Sequence, residues 1–291
     1  MHKKIFVLLL CIGGFILLAF ILFNQMINSR RSTTAVYSWD TVQVENPDDT
    51  VSTLISLDID DIYQYASEAY LNDPVYLDNI IAFIQKTEQA NKGVYLLNGE
   101  PEWAIDPDAR ELIQYINTVD ELNQSLPKDQ QIRGIVIDIE PQSLPEFESN
   151  PDLLMRHFTE GLTAAYQVAN QKGLEVIVCL PYFFDTEGFS DELATIVQRA
   201  SDQVAIMNYY RGKEIDHISN EASLSKQYHK PIQTIYELQA PGQFDLAEIN
   251  TYHHLSLDAV VENFNQLKTH FSDQQVNLGL HEYKSLVKLL E

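Results

Sequence analysis

Short apolar runs alternate with amphipathic stretches along most of this chain. Residues 35–39, 93–97, 174–180, 203–209, 231–237 and 276–281 are rich in Val, Ile, Leu and Tyr, and each predicts a strand. A weaker run covers 61–64, and the most apolar of all covers 132–139. The intervening stretches carry helix signals. Asn46-Pro47 opens one helix with Val51, Leu54, Ile55 and Leu57 on its apolar side, and 75–90 aligns Ile80, Ile81, Phe83 and Ile84. Asp106-Pro107 opens a third helix through residue 122, and 151–171 stops before Gly173. Further helices are predicted at 191–200, 256–271 and 283–290, with none between the sixth and seventh strands. Eight strands alternating with helices over about 250 residues is the count and size of a closed (β/α)8 TIM barrel. A doubly wound open sheet would carry a glycine-rich phosphate turn after its first strand, and Trp39-Asp-Thr-Val holds none.

The N-terminus breaks the alternation. Residues 5–23 form an uncharged apolar run of 19, long enough at about 1.5 Å per residue to cross a hydrocarbon core of roughly 30 Å. Lys3 and Lys4 precede it, which places residues 1–4 in the cytoplasm and the rest of the chain outside. A cleavable signal would have a shorter apolar region and a small-residue cleavage site, and 24–29 offers no such site. The expected organisation is therefore a single-pass anchor at 5–23, a tether at 24–34 and an extracytoplasmic barrel at 35–291 on the cell membrane.

Charge narrows the partners. The chain carries 19 basic and 42 acidic side chains, a formal net charge of −23, and four of the basic residues lie in 1–31. The remainder, at −27, repels nucleic acid and anionic headgroups and suits a neutral or cationic substrate. Cys11 falls in the apolar run and Cys179 in a strand, so no disulfide is expected. No metal or cofactor signature is present, and nothing in the sequence sets an oligomeric state.

The candidate chemistry centres on the fourth strand. Side chains alternate along a strand, so Asp138 and Glu140 point to one side while Ile135, Ile137 and Ile139 point to the other. Two acids at i and i+2 before a proline, in an otherwise apolar strand, are placed for acid–base work; the plainer reading is an acidic strand-to-helix loop. Barrels build their sites from the loops after the strands. Those ends carry Trp39 and Asp40, Asn98 and Trp103, Tyr182 and Asp185, Tyr209 and Arg211, Glu237, and His281 with Glu282. Acids mixed with aromatics are what a carbohydrate site needs, since rings stack on sugar faces and a protonated acid gives up its proton to the leaving oxygen.

Gly134-Ile-Val-Ile-Asp138-Ile-Glu140 resembles the fourth strand of family 18 glycoside hydrolases, the chitinase and endo-N-acetylglucosaminidase barrels, whose motif is D-G-x-D-x-D-x-E. Met207-Asn-Tyr209 resembles that family's sixth-strand M-x-Y. The resemblance implies Glu140 as general acid, Asp138 as its partner on the substrate acetamido group, and Tyr209 as the third member. Arg133 and Val136 stand where the motif has Asp, Tyr210 follows M-x-Y, and Leu280-His-Glu replaces the floor tryptophan of the eighth strand. Retaining glycosidases with a strand-four Asn-Glu-Pro and a strand-seven nucleophile are similar in position at Ile139-Glu140-Pro141 and Glu237. The expected function is thus a glycoside hydrolase-like barrel acting on a polysaccharide or cell-surface glycan, and the alternative is a barrel that binds a glycan or protein without turnover.

Overall fold

The computed structural model describes residues 31–290. The predicted cytoplasmic residues, the 5–23 span and most of the tether lie outside the described residues. Among the described residues no helix is long and apolar enough to cross a membrane.

Eight parallel strands close into a barrel in sequence order: β1 Thr34–Ser38, β2 Asp61–Tyr65, β3 Gly93–Asn98, β4 Gly134–Ile137, β5 Glu175–Pro181, β6 Gln203–Met207, β7 Ile232–Glu237 and β8 Val276–His281. The main outer helices are α1 Pro47–Ser56, α2 Pro74–Gln89, α3 Arg110–Ser125, α4 Pro151–Gln171, α5 Ser190–Arg199, α6 Glu214–Gln227, α7 Leu257–His270 and α8 Tyr283–Lys288. Short helical turns at Val42–Glu45, Glu68–Leu71 and Pro145–Ser149 decorate the connections.

The strand alternation sorts the core into two parts. Outward residues such as Val36, Ile62, Leu96, Ile135, Ile137 and Val178 meet the helices. On α4, Leu154, Met155, Phe158, Leu162 and Ala165 recur at helical spacing on the buried side. Each large side chain so buried contributes about 1.5–3 kcal/mol of transfer free energy. The interior holds Tyr37, Tyr63, Tyr95, Leu97, Val136, Ile177, Cys179 and Ala205. Tyr37, Tyr63 and Tyr95 sit at one level, since Tyr37 aligns with Tyr63 and Tyr63 with Tyr95 in the ladder, and their rings meet edge to face at 5.0 and 5.3 Å. Gln233 gives two of their hydroxyls partners, accepting from Tyr37 at 3.0 Å and donating to Tyr63 at 3.1 Å.

Three expectations need correction. The fourth strand ends at Ile137, so Asp138 and Glu140 lie on its exit and not within it. The third helix starts at Arg110, because the chain first turns through left-handed Ala109 (φ 51°); Asp106 still accepts from the Arg110 amide at 3.2 Å. Helix α6 was not expected. Its buried positions include Glu214, Glu221 and Ser225 beside Ile218 and Ala222, and those polar residues interrupt the apolar stripe that marks a helix.

Candidate active site

The exit of β4 is shaped by its neighbour β3. The Asp138 amide donates to the Asn98 carbonyl at 3.1 Å, extending the ladder one step past the strand. Gly99 makes this approach possible: a β-carbon there would stand 2.2 Å from the Asp138 carbonyl oxygen. Buried Asn98 turns its side-chain oxygen back onto the Gly99 amide at 2.9 Å. Continuing the inward series of Val136, both Asp138 and Glu140 face the same cavity of about 900 Å³ at the C-terminal mouth.

The two carboxyls are held in a setting that favours protons. Burial over the interior that contains Val136 and Cys179, followed by the charge of Glu140, pushes Asp138 up to about 7; His281 in its protonated form and a bond from Cys179 pull the other way. The Oδ1 atom of Asp138 is buried and accepts no hydrogen bond from any described residue. Burial also raises Glu140, against the pull of His281 in its protonated form and a 2.8 Å bond donated by Gln142. Two raised carboxyls that sense one another titrate as a unit. Near neutral pH the pair therefore retains a proton for transfer.

Across the mouth, three strand ends are tied in series. The Trp39 indole N–H, just past β1, donates to His281 Nε2 at 2.9 Å. His281 Nδ1 lies 2.8 Å from Glu237 Oε2, and the Gln239 amide donates to Glu237 Oε1 at 2.7 Å. Indole nitrogen can only donate, so the geometry assigns His281 the neutral tautomer with its proton on Nδ1. Both oxygens of buried Glu237 are thereby engaged. Tyr209 stands with its ring 6.0 Å from His281; burial, then the neighbouring Glu237 and Asp138, keep its hydroxyl protonated. The His281–Glu282 peptide is cis.

Of the residues singled out in the sequence, Trp39, Asp40, Asp138, Glu140, Tyr182, Tyr209, Glu237, His281 and Glu282 border this one cavity. Glu282 spends its carboxylate as the cap of α8, accepting from the Lys284 and Ser285 amides, both at 3.0 Å. Asp40 sits on the rim, 4.0 Å from Lys284 Nζ. Tyr182 is stacked flat on His217, centroids 3.9 Å apart.

Four others lie outside the cavity lining. Asn98 shapes the β3 turn, and Trp103 packs near Tyr115, ring centroids 6.2 Å apart. Asp185 lies in the turn after β5. Arg211 donates to the Glu248 carbonyl at 2.7 Å and lies over the Tyr252 ring, bracing the loop after β7. The lining also includes Gln142, Phe183, Met207, His253 and Phe244, none of which is marked as a site residue by its position at a strand end alone. Met207 opens the M-x-Y segment and Gln142 follows Glu140-Pro141, whereas Phe244 sits in an aperiodic loop with no motif to mark it.

No protein-family model and no curated protein matches the sequence. Solved structures do share its architecture. A GH18 chitinase from Pseudoalteromonas aurantia superposes with a TM-score of 0.57 at 13% identity, over 87% of this chain and 95% of the chitinase. A β-glucosidase 1317 gives 0.53 at 9% identity, over 82% and 77% of the two chains. D-psicose 3-epimerase from Clostridium cellulolyticum H10 gives 0.51 at 10% identity, over 86% and 85%. The shared property is the barrel. Two glycosidases and an epimerase on one architecture leave the chemistry to be argued from the side chains.

Proposed function

We propose that this barrel is a glycoside hydrolase acting on a polysaccharide or cell-surface glycan, held outside the membrane by the apolar run at 5–23. The observation that carries the reading is the meeting of Asp138, Glu140 and Tyr209 in one cavity, with the acid pair raised toward neutrality. Glu140 protonates the leaving oxygen as the glycosidic bond breaks. Asp138 offers a bare buried oxygen, and Tyr209 a protonated hydroxyl, to the acetamido group of an N-acetylhexosamine. Glu237 supports this substrate-assisted route more than a nucleophilic one, because both its oxygens already accept hydrogen bonds.

A second reading, binding without turnover, is favoured by what lies beneath the pair. Val136 belongs to the apolar interior and Arg133 to ion pairs at the far end of the barrel, so neither supplies the carboxylate that the family 18 motif has there. One substitution separates the readings. Glu140→Gln should lower glycan cleavage by roughly 10²–10⁴ while leaving glycan binding intact. Glu237→Gln should be equally damaging only if Glu237 is the nucleophile. If the unmodified protein binds glycans and cleaves none, the hydrolase reading fails and the binding barrel stands.

A further inference from the structure

The eighth strand lacks the tryptophan that the resemblance to family 18 would put on the floor of the site, and its last residue is His281. The structure supplies an indole from elsewhere. Trp39, from the exit of β1, borders the cavity and is half-buried; one side leans on Tyr65, ring centroids 5.7 Å apart at 37°. Its only polar atom is tied to His281 Nε2. His281 is in turn fixed by Glu237, which is fixed by the Gln239 amide. An indole whose N–H is satisfied and whose edge is locked presents an apolar ring to the cavity at little entropic cost on binding.

Resting on the glycan reading above, we propose that Trp39 is the platform on which a pyranose ring of the substrate stacks, and that neutral His281 is the positioning residue that holds it. The arrangement carries its own pH dependence. An imidazolium would turn an N–H toward the Trp39 N–H, so protonation of Nε2 breaks the bond. The groups facing His281 oppose one another. Burial disfavours the imidazolium, while Glu237 on β7, Asp138 beyond β4 and Glu282 beside it favour it and together raise the histidine. Glu140 is also within its field, and the rings of Tyr37 and Tyr209 stand about 6 Å away as neutral neighbours. Above the histidine's titration the platform is locked; below it, the platform is released.

Trp39 and Trp103 are the two tryptophans of the chain, so the full chain carrying Trp103→Phe reports Trp39 alone by fluorescence. Without glycan, Trp39 emission should change reversibly as pH falls, with a midpoint above about 6.5, the ordinary histidine value. His281→Gln, which keeps an acceptor toward Trp39 and a donor toward Glu237 but does not titrate, should abolish that change and retain the high-pH spectrum. His281→Leu should show the released spectrum at every pH. The same titration surviving in His281→Gln overturns the positioning role. The hexasaccharide of β-1,4-linked N-acetylglucosamine, added at high pH, should shift Trp39 emission saturably, and Trp39→Ala should weaken its binding roughly tenfold or more. Calorimetric binding with Trp39 emission and Trp39→Ala affinity both unchanged overturns the platform and leaves the glycan reading intact. If neither this hexasaccharide nor any glycan of a broad polysaccharide panel binds, the glycan reading fails and the platform with it, even where the pH step is seen.

Discussion

The two ends of the barrel both gather charge, and they treat it differently. At the N-terminal end, Arg133 donates to Asp61 at 3.0 Å and forks onto both oxygens of Glu88 at 3.1 Å, and the Tyr95 hydroxyl donates to Glu175. Each acid there has a donor, although burial still holds Asp61 up to about 6 despite its arginine. Gly93 is what lets the cluster close, since a β-carbon there would stand 2.2 Å from Asp61 Oδ1. At the C-terminal mouth no arginine or lysine among the described residues is bonded to Asp138 or Glu140; Gln142 donates to Glu140, and one Asp138 oxygen is bare. Charge that is fully partnered holds strands in place. Charge that is left short of partners keeps a proton available, and that is what a reaction can use.

The sharpest way to break this contrast is at Asp138. Asp138→Asn removes the proton store and should lower glycan cleavage by roughly 10²–10⁴. It should also raise thermal stability at pH 8. A carboxyl whose folded value is about 7 against 3.8 unfolded binds more protons when folded, so its charge weakens the fold progressively as pH climbs from 4 to 7. In the unmodified protein, turnover should fall as pH rises past about 7, where the pair loses its shared proton. Loss of stability together with activity in Asp138→Asn would make the mouth a scaffold like the base.

Arg133→Met tests the other end. It strands Asp61 and Glu88, whose side chains are 10% and 11% exposed, and should cost about 1–3 kcal/mol by denaturant unfolding. That figure is discounted from a fully buried pair because the arginine is itself 39% exposed. Activity per folded molecule should be unchanged, and a selective loss of turnover would place catalytic influence at the base.

Glu221, on α6, is an exception to the contrast and gives the smallest effect. It is fully buried, no other described residue hydrogen-bonds its carboxylate, and burial, opposed by its own amide and reinforced by the Asp185 charge, pushes it up to about 8. Its folded value exceeds its unfolded one, so it withdraws stability as pH rises from 4.5 toward 8. Glu221→Gln should therefore gain about 1 kcal/mol at pH 8, roughly 2–4 °C in melting temperature, and nothing at pH 4. A gain that persists at pH 4 would mean that side-chain packing, and not the buried charge, sets the effect.

Much of this was legible along the chain. Near-continuous apolar runs bounded by turn residues mark the strands, most weakly at 61–64, because a strand covered on both faces needs apolar residues at almost every position. The same alternation put Asp138 and Glu140 on one side, and they do border one cavity. Helix α6 escaped because Glu214, Glu221 and Ser225 occupy its buried face. Asn98, Trp103, Asp185 and Arg211 follow strand ends as cavity residues do, yet loop geometry turns them to bracing or to other surroundings. Order along the chain gives the end of the barrel on which a side chain lies; the turn it sits in decides where it points.

What the sequence determined by itself is the repeating strand–helix pattern, the acidic charge balance, the apolar N-terminal run and the proximity of two acids at i and i+2, all of which depend on local spacing. Tertiary structure alone decided that Trp39, Glu237 and His281, separated by up to 242 positions, form one hydrogen-bonded series, and that Arg133 belongs to the opposite end from Asp138. It also decided which acids keep protons. Those outcomes depend on closure of the barrel, which brings β1 beside β8 and withdraws water from the mouth, and neither effect has a local signature in the chain.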